Sequence, residues 1–311
     1  MNAYQSLCKS LFKDFDADHI KYSESLRNYT YTRLGGDADV LISPTTVDEV
    51  AAVVKRAAEH SIPLTMMGYG SNMIVRDGGI RGITLSLQHL NSIRIDGHSL
   101  TAQGGAAIID VSRRALAESL TGLEFACGIP GSVGGALYMN AGAYGGQMSD
   151  VVESAVVVTP EGDIVTLQSE ELLLGYRTSV FMGRPYIILE VTMKLELGHP
   201  AEIKAKMDEL THARESKQPL EYPSCGSVFK RPEGYFAGKL IQDCGLQGTR
   251  IGGAEVSRKH SGFIVNVDNA TAQDYLNLIA LIQETVSRKF NVNLETEVIV
   301  IGEDLVVQEN K

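Results

Sequence analysis

The chain has 311 residues, 44% hydrophobic and 21% charged, with a formal net charge of −10. That is enough apolar material for a large core, and the acidic balance argues against non-specific binding to nucleic acid or to an anionic membrane. No apolar run reaches the roughly 20 residues that cross a bilayer, and the four cysteines fall in no CxxC pair, which predicts reduced thiols in the cytoplasm and no zinc or redox-dithiol site.

The first elements alternate strand and helix. Residues 4–16 predict an amphipathic helix with Leu7, Leu11, Phe12 and Phe15 on one stripe. Val40–Ile42 reads as a strand. Thr46 and Glu49 form a capping box that opens a helix to His60, carried by Val47, Val50, Ala51, Val54 and Ala58. Strands follow at 62–67, 73–75 and 83–87. A hairpin at 93–95 and 100–103 turns at Asp96-Gly97, and a helix covers about 108–120. A second hairpin pairs 151–158 with 164–167, Ser169 caps a short helix, and 186–197 reads as one long strand.

A domain boundary fits at Gly198-His199-Pro200, with Pro200 opening a charged helix to about 215. After it come a polar loop at 224–232, a helix at 235–244 closed by Gly245, a strand at 260–266 and a helix at 271–290 capped by Thr271. The last strand is Leu294–Ile301, with Glu297 in its middle. This part reads as a small α+β domain.

Two stretches stand apart. Gly122–Gln147 has eight glycines in 26 residues and almost no charge. Each glycine costs roughly 0.5–1 kcal/mol in a helix or strand interior, so the segment is expected to be neither. It suits a backbone laid against a planar, phosphate-bearing cofactor, or equally a structural turn between sheets. Gly68-Tyr69-Gly70-Ser71-Asn72 directly follows a strand and makes either an anion nest or a plain tight turn. The seven histidines are dispersed and read as surface or hydrogen-bonded residues, not metal ligands.

Six segments in order, GYGSN (68–72), GIPGSVGGALYMNAGAYGG (128–146), YRTS (176–179), GSVFKRP (226–232), HSGFIVN (260–266) and LETEVIVIG (294–302), resemble the UDP-N-acetylenolpyruvoylglucosamine reductase family over nearly the whole chain. The resemblance implies an α+β fold. An N-terminal helical segment (1–30) would precede a two-subdomain FAD-binding domain of the vanillyl-alcohol-oxidase type (31–197, subdomains 31–90 and 91–197), and a smaller substrate-binding domain would follow (198–311). It implies FAD as cofactor, with NADPH and a UDP-sugar using one site in turn, in a monomeric chain that takes no nucleic acid, membrane or metal. The runner-up is an oxidase of the same fold acting on a small alcohol or hydroxy acid. A non-catalytic flavin- or sugar-nucleotide-binding protein is a third reading. Many family members have FKNP where this chain has Phe229-Lys230-Arg231-Pro232, and the chain lacks the insertion that carries a substrate-clamping tyrosine in one subclass.

The implied reaction reduces an enol ether, so charge gathers on a carboxylate before a proton arrives. Arg177 fits the carboxylate partner, although by itself it also reads as a loop arginine in a surface ion pair. Ser227 fits the proton donor, with Cys225 a rival of lower intrinsic pKa. Glu297 reads as a partner of Arg177 or as a protonated donor. FAD is expected on Gly68, Tyr69, Gly70, Ser71 and Asn72, and along Gly128, Pro130, Gly131, Ser132, Gly134, Gly135, Asn140, Ala141, Gly142 and Tyr144. Arg214, Lys217, Lys230 and Arg231, placed near an interdomain cleft, are expected to meet the substrate's phosphates and sugar, or else to form a solvated face.

Overall fold

A computed structural model describes residues 2–305, which divide into two compact units. The first contains residues up to Tyr22, Val40–Tyr69 and Gly82–Arg214. The second is assembled from Ser23–Asp39, Gly70–Arg81 and the chain from Glu215 onward. The break falls at Arg214 rather than at the Gly198–Pro200 boundary read from the sequence.

In the first unit, helix α1 (Ala3–Leu11) ends a turn and a half earlier than its pattern suggests, with Phe12 as C-cap. Helix α2 (Val47–Glu59) opens on the expected capping box of Thr46 and Glu49 and buries Val50, Val53, Val54 and Ala57. Leu64–Met67 runs parallel to Ile80–Ser86, joined to it through residues 68–79, which include the short strand Met73–Val75. An antiparallel five-stranded sheet has the order Ile164–Gln168, Val152–Val158, Ile187–Lys194, Ser99–Gln103, Ile93–Asp96. Helix α3 (Ile108–Ala117) and a six-residue helix α4 (Val133–Tyr138) contribute Ile108, Val111, Val133, Ala136 and Leu137 to the core of this sheet.

The long strand at 186–197 is interrupted: Ile187–Lys194 belongs to the five-stranded sheet, and Glu196–Leu197 pairs separately with Leu120–Thr121. The short helix expected before it, capped by Ser169, is a 3-10 turn that begins at Ser169, and its cap is Gln168, whose N–H donates to the Glu171 carboxylate at 2.8 Å. Helix α5 (Pro200–Lys217) opens on Pro200 as expected.

The second unit has an antiparallel sheet in the order Ser224–Ser227, Phe263–Asn266, Ala254–Val256, Arg250–Ile251. Helices α6 (Ala237–Asp243) and α7 (Ala272–Phe290) share its core, where Leu240, Tyr275, Leu278 and Ile282 are buried with Leu34 and Ile74. Thr271 caps α7 in a capping box with Asp274. The last strand is only Ile299–Ile301 and runs parallel to Met73–Val75. The five residues expected to precede it in the strand instead follow the 228–230 backbone: Lys230 N–H donates to the Glu295 carbonyl, and Glu297 N–H to the Val228 carbonyl at 2.8 Å. Switching partners from one backbone to another breaks the strand at Glu297.

Candidate active site

The glycine-rich stretch is the first surprise, because it contains α4. Ser132 caps this helix, its Oγ accepting from Gly135 N–H at 3.2 Å. Val133 N–H donates to the Ala106 carbonyl and Gly134 N–H to the Gly104 carbonyl, both at 2.8 Å. A buried face of Val133, Ala136 and Leu137 outweighs the glycine cost. Gly134 is needed for contact, since a Cβ there would sit 3.0 Å from the Gly104 carbonyl oxygen. The N–H groups of Gly134 and Gly135 are therefore used within the chain.

What remains for a flat cofactor is a surface of main chain. Cys127–Gly131, including Gly128, Pro130 and Gly131, is half-buried and carries no charge. A Cβ on Gly68 would come within 2.9 Å of Ser132 Oγ, and Tyr69 donates its hydroxyl to the Gly105 carbonyl at 2.9 Å. Gly68 and Gly105 are thus required by close approach to the chain's own atoms, and the uncharged main chain of 127–131 is the surface that suits a planar group. Gly70, in the second unit, has φ +64, and a Cβ there would strike the Tyr29 carbonyl oxygen. Ser71 and Asn72 are half-buried. Ala141 belongs to the core, Gly142 lies in the ribbon 142–147, and Tyr144 sits exposed at its tip with φ +53.

Arg177 lies at the tip of a tight turn in the first unit. Gly175 and Thr178 exchange main-chain hydrogen bonds at 3.1 and 3.3 Å across Tyr176 and Arg177. Arg177 has φ +52, a conformation a long side chain takes only when its surroundings impose it. Its guanidinium is half-buried, donates to the Gly142 carbonyl at 3.3 Å, and stands 5.5 Å from the Tyr176 ring centre.

Ser227 and Glu297 belong to the second unit. Ser227 is exposed, next to Gly226 at φ +77. Its neighbour Val228 is held at both main-chain ends: the N–H donates to the Gly262 carbonyl at 2.9 Å and the carbonyl accepts from Glu297 N–H. The segment 260–262 is tied within itself, with Gly262 N–H donating to His260 Nδ1 at 3.1 Å. Burial holds the His260 imidazole below its ordinary pKa, in the neutral form that this acceptor role needs. Glu297 is half-buried, and Asn72 Nδ2 donates to its carbonyl. Cys225, the rival acid, is buried in the core, and desolvation pushes its thiol up to about 12. It neither reaches a ligand nor gives up a proton readily.

The four expected substrate cations have distinct settings. Arg214 lies against the glycine-rich segment, its Cδ only 2.8 Å from where a Cβ on Gly128 would stand. Lys217 is exposed at the end of α5. Lys230 pairs with Glu295 at 3.3 Å. Arg231 stacks on the exposed Phe236 ring at 4.0 Å and donates to the Tyr235 carbonyl at 3.4 Å. Sequence reasoning had not singled out Phe236; the aromatic five residues beyond Arg231 was its available sign.

Residues 38–168 match the FAD binding domain family, and residues 218–301 match the family described as UDP-N-acetylenolpyruvoylglucosamine reductase, C-terminal domain. The chain is 61% identical over 305 residues to the UDP-N-acetylenolpyruvoylglucosamine reductase of Shouchella clausii, covering 98% of each chain. It is 61% identical over 300 residues to UDP-N-acetylenolpyruvoylglucosamine reductase 2 of Bacillus cereus, covering 96% of this chain and 98% of that one. Among solved structures, the enzyme of Thermus caldophilus is similar with a TM-score of 0.78 at 34% identity, covering 90% of this chain and 97% of that one. With an FAD-binding domain, a matching C-terminal domain and relatives of this identity along almost its full length, the chain belongs to the UDP-N-acetylenolpyruvoylglucosamine reductase family.

Proposed function

We propose that the chain is an NADPH-dependent UDP-N-acetylmuramate dehydrogenase, working in the cytoplasm in the synthesis of peptidoglycan precursors. A bound flavin, once reduced by NADPH, would supply the hydride that C3 of the enolpyruvyl group takes up. The glycine-lined main chain at 68–72 and 128–135 holds that cofactor by close approach. Arg177 holds the substrate carboxylate, on which negative charge gathers as the C2–C3 π electrons are displaced. Ser227 Oγ delivers the proton to C2 and regains one from water. Glu297 steadies the developing charge as partner or donor. Arg214, Lys217, Lys230 and Arg231 serve the diphosphate and sugar, and the guanidinium of Arg231 takes the place of the amide that many relatives have there. NADPH and the UDP-sugar occupy the site in turn.

The observation that carries the assignment of the acid is the contrast between Ser227 and Cys225. Two residues apart, one hydroxyl is exposed and one thiol is buried with its pKa pushed up to about 12. The test is anaerobic. NADPH should bleach the flavin of the purified protein, and the enolpyruvyl sugar nucleotide should restore it. A protein that stays colourless with added FAD, or that is reoxidised by no enolpyruvyl substrate, does not have this function.

A further inference from the structure

Asn140 follows α4 and is 1% exposed, with φ +44. Its side chain is fully committed. Nδ2 donates to the Gly175 carbonyl at 3.0 Å, and Oδ1 accepts from Ser149 N–H at 2.8 Å. Gly175 is the first residue of the turn that carries Arg177. The far end of that turn is tied to the same segment, where Ser179 Oγ donates to the Tyr138 carbonyl. Between them Arg177 donates to the Gly142 carbonyl. Three successive even positions, 138, 140 and 142, thus hold the turn on both sides and at its tip.

Left-handed backbone costs a residue other than glycine about 1–2 kcal/mol, so Arg177 at φ +52 needs such external ties. Two of the three ties are buried side chains, Asn140 and Ser179, and Asn140 must present a donor to Gly175 and an acceptor to Ser149 at once. Asparagine does this and also tolerates positive φ. We propose that Asn140 is a positioning residue for Arg177: its amide sets the turn so that the guanidinium faces the substrate carboxylate. This rests on the reading of Arg177 given above.

Asn140→Asp tests it. The variant keeps the acceptor for Ser149 N–H and the tolerance of positive φ, but sets a carboxylate oxygen against the Gly175 carbonyl. Calorimetry on the FAD-loaded protein would compare UDP-N-acetylglucosamine, which lacks the carboxylate, with UDP-N-acetylmuramate, which has it. The expected result is unchanged flavin content, UDP-N-acetylglucosamine affinity within twofold of the parent, and UDP-N-acetylmuramate affinity about tenfold weaker, the scale of one lost hydrogen bond. Flavin reduction by NADPH should stay within twofold while reoxidation by the enolpyruvyl substrate slows at least tenfold. Equal weakening of both ligands would overturn the proposal and leave Asn140 a folding residue. Should the aspartate variant not fold, Asn140→Gly, which bears the backbone angle and removes the donor without adding charge, is read by the same ratio. Arg177→Lys separates the two ideas. If it leaves the ratio of the two affinities unchanged, the role of Arg177 fails and that of Asn140 with it. If it alters the ratio and the Asn140 variants do not, only Asn140 is wrongly placed.

Discussion

Asn72 and Glu297, 225 positions apart, are joined by a hydrogen bond from Asn72 Nδ2 to the Glu297 carbonyl at 3.1 Å, and Asn72 takes a second tie to the same segment, its carbonyl accepting from Ile299 N–H at 3.1 Å. The last residue of the GYGSN loop therefore fixes the main chain from which the Glu297 carboxyl projects. Replacing Asn72 with Ala removes one of the two ties, worth about 1 kcal/mol. Stability by urea denaturation should fall by that amount, and kcat should fall about tenfold as Glu297 loosens. An unchanged kcat at reduced stability would confine Asn72 to the fold.

Ser227→Ala removes the proposed acid and little else, because the side chain is exposed. Stopped-flow traces should show flavin reduction by NADPH within about threefold of the parent, and reoxidation by substrate slower by about 10²–10⁴-fold, the usual weight of general acid catalysis. Equal slowing of both halves would take the proton away from Ser227.

The opposite result is expected at Cys225. Its thiol is enclosed by the core of the second unit, so Cys225→Ala should cost about 1 kcal/mol of stability, typical of a small core truncation. Its kcat and the pH dependence of kcat should match those of the parent. A shifted pH profile would restore the thiol as a participant.

Gly226 isolates backbone strain from steric clash. A Cβ there meets nothing within 4 Å, yet φ is +77. Gly226→Ala should lose activity through displacement of Ser227, with about 1–2 kcal/mol of strain available to move it. Gly226→Asn, more at ease in that region, should recover most of the loss. Equal activity in all three proteins would show that the turn does not aim Ser227.

Burial lowers the pKa of His260 in the folded state. Below the unfolded value near 6.5 the unfolded chain binds the proton more readily, so stability falls as pH drops through that value toward the folded pKa. Urea midpoints measured from pH 7.5 down to 5 should decline, and His260→Gln should flatten the decline. A parallel decline in both proteins would place the sensitivity elsewhere.

Where a signal was local, the sequence disclosed it. The capping boxes of Thr46 with Glu49 and of Thr271 with Asp274 are side chain–backbone contacts within one turn, and the hairpin read at Asp96-Gly97 is present but turns one residue later, on Gly97 and His98, with Asp96 paired to Ser99. Helix α4 escaped because eight glycines masked a short apolar face behind a serine cap, and the deciding contacts come from Gly104 and Ala106. The hydrogen bond of Asn140 to Gly175 was not legible either, because the two residues are 35 positions apart. The break of the last strand at Glu297 was hidden for the same reason, since its backbone answers to Val228 and Asn72. One miss was avoidable. The strands Arg250–Ile251 and Ala254–Val256 pair across Gly252-Gly253, a hairpin signal plain in the sequence.

The patchwork origin of the second unit bears on how it is made. Its core includes Leu34 and Ile74, and its final strand lies beside Met73–Val75. During synthesis, residues 23–39 and 70–81 leave the ribosome more than a hundred positions ahead of the helix and strands they must join. That half can close only when translation is nearly over, and such long-range closure slows folding. A fragment beginning at Glu215 would lack both inserts, so expressing it alone should yield a chain with an incomplete core rather than a self-standing domain.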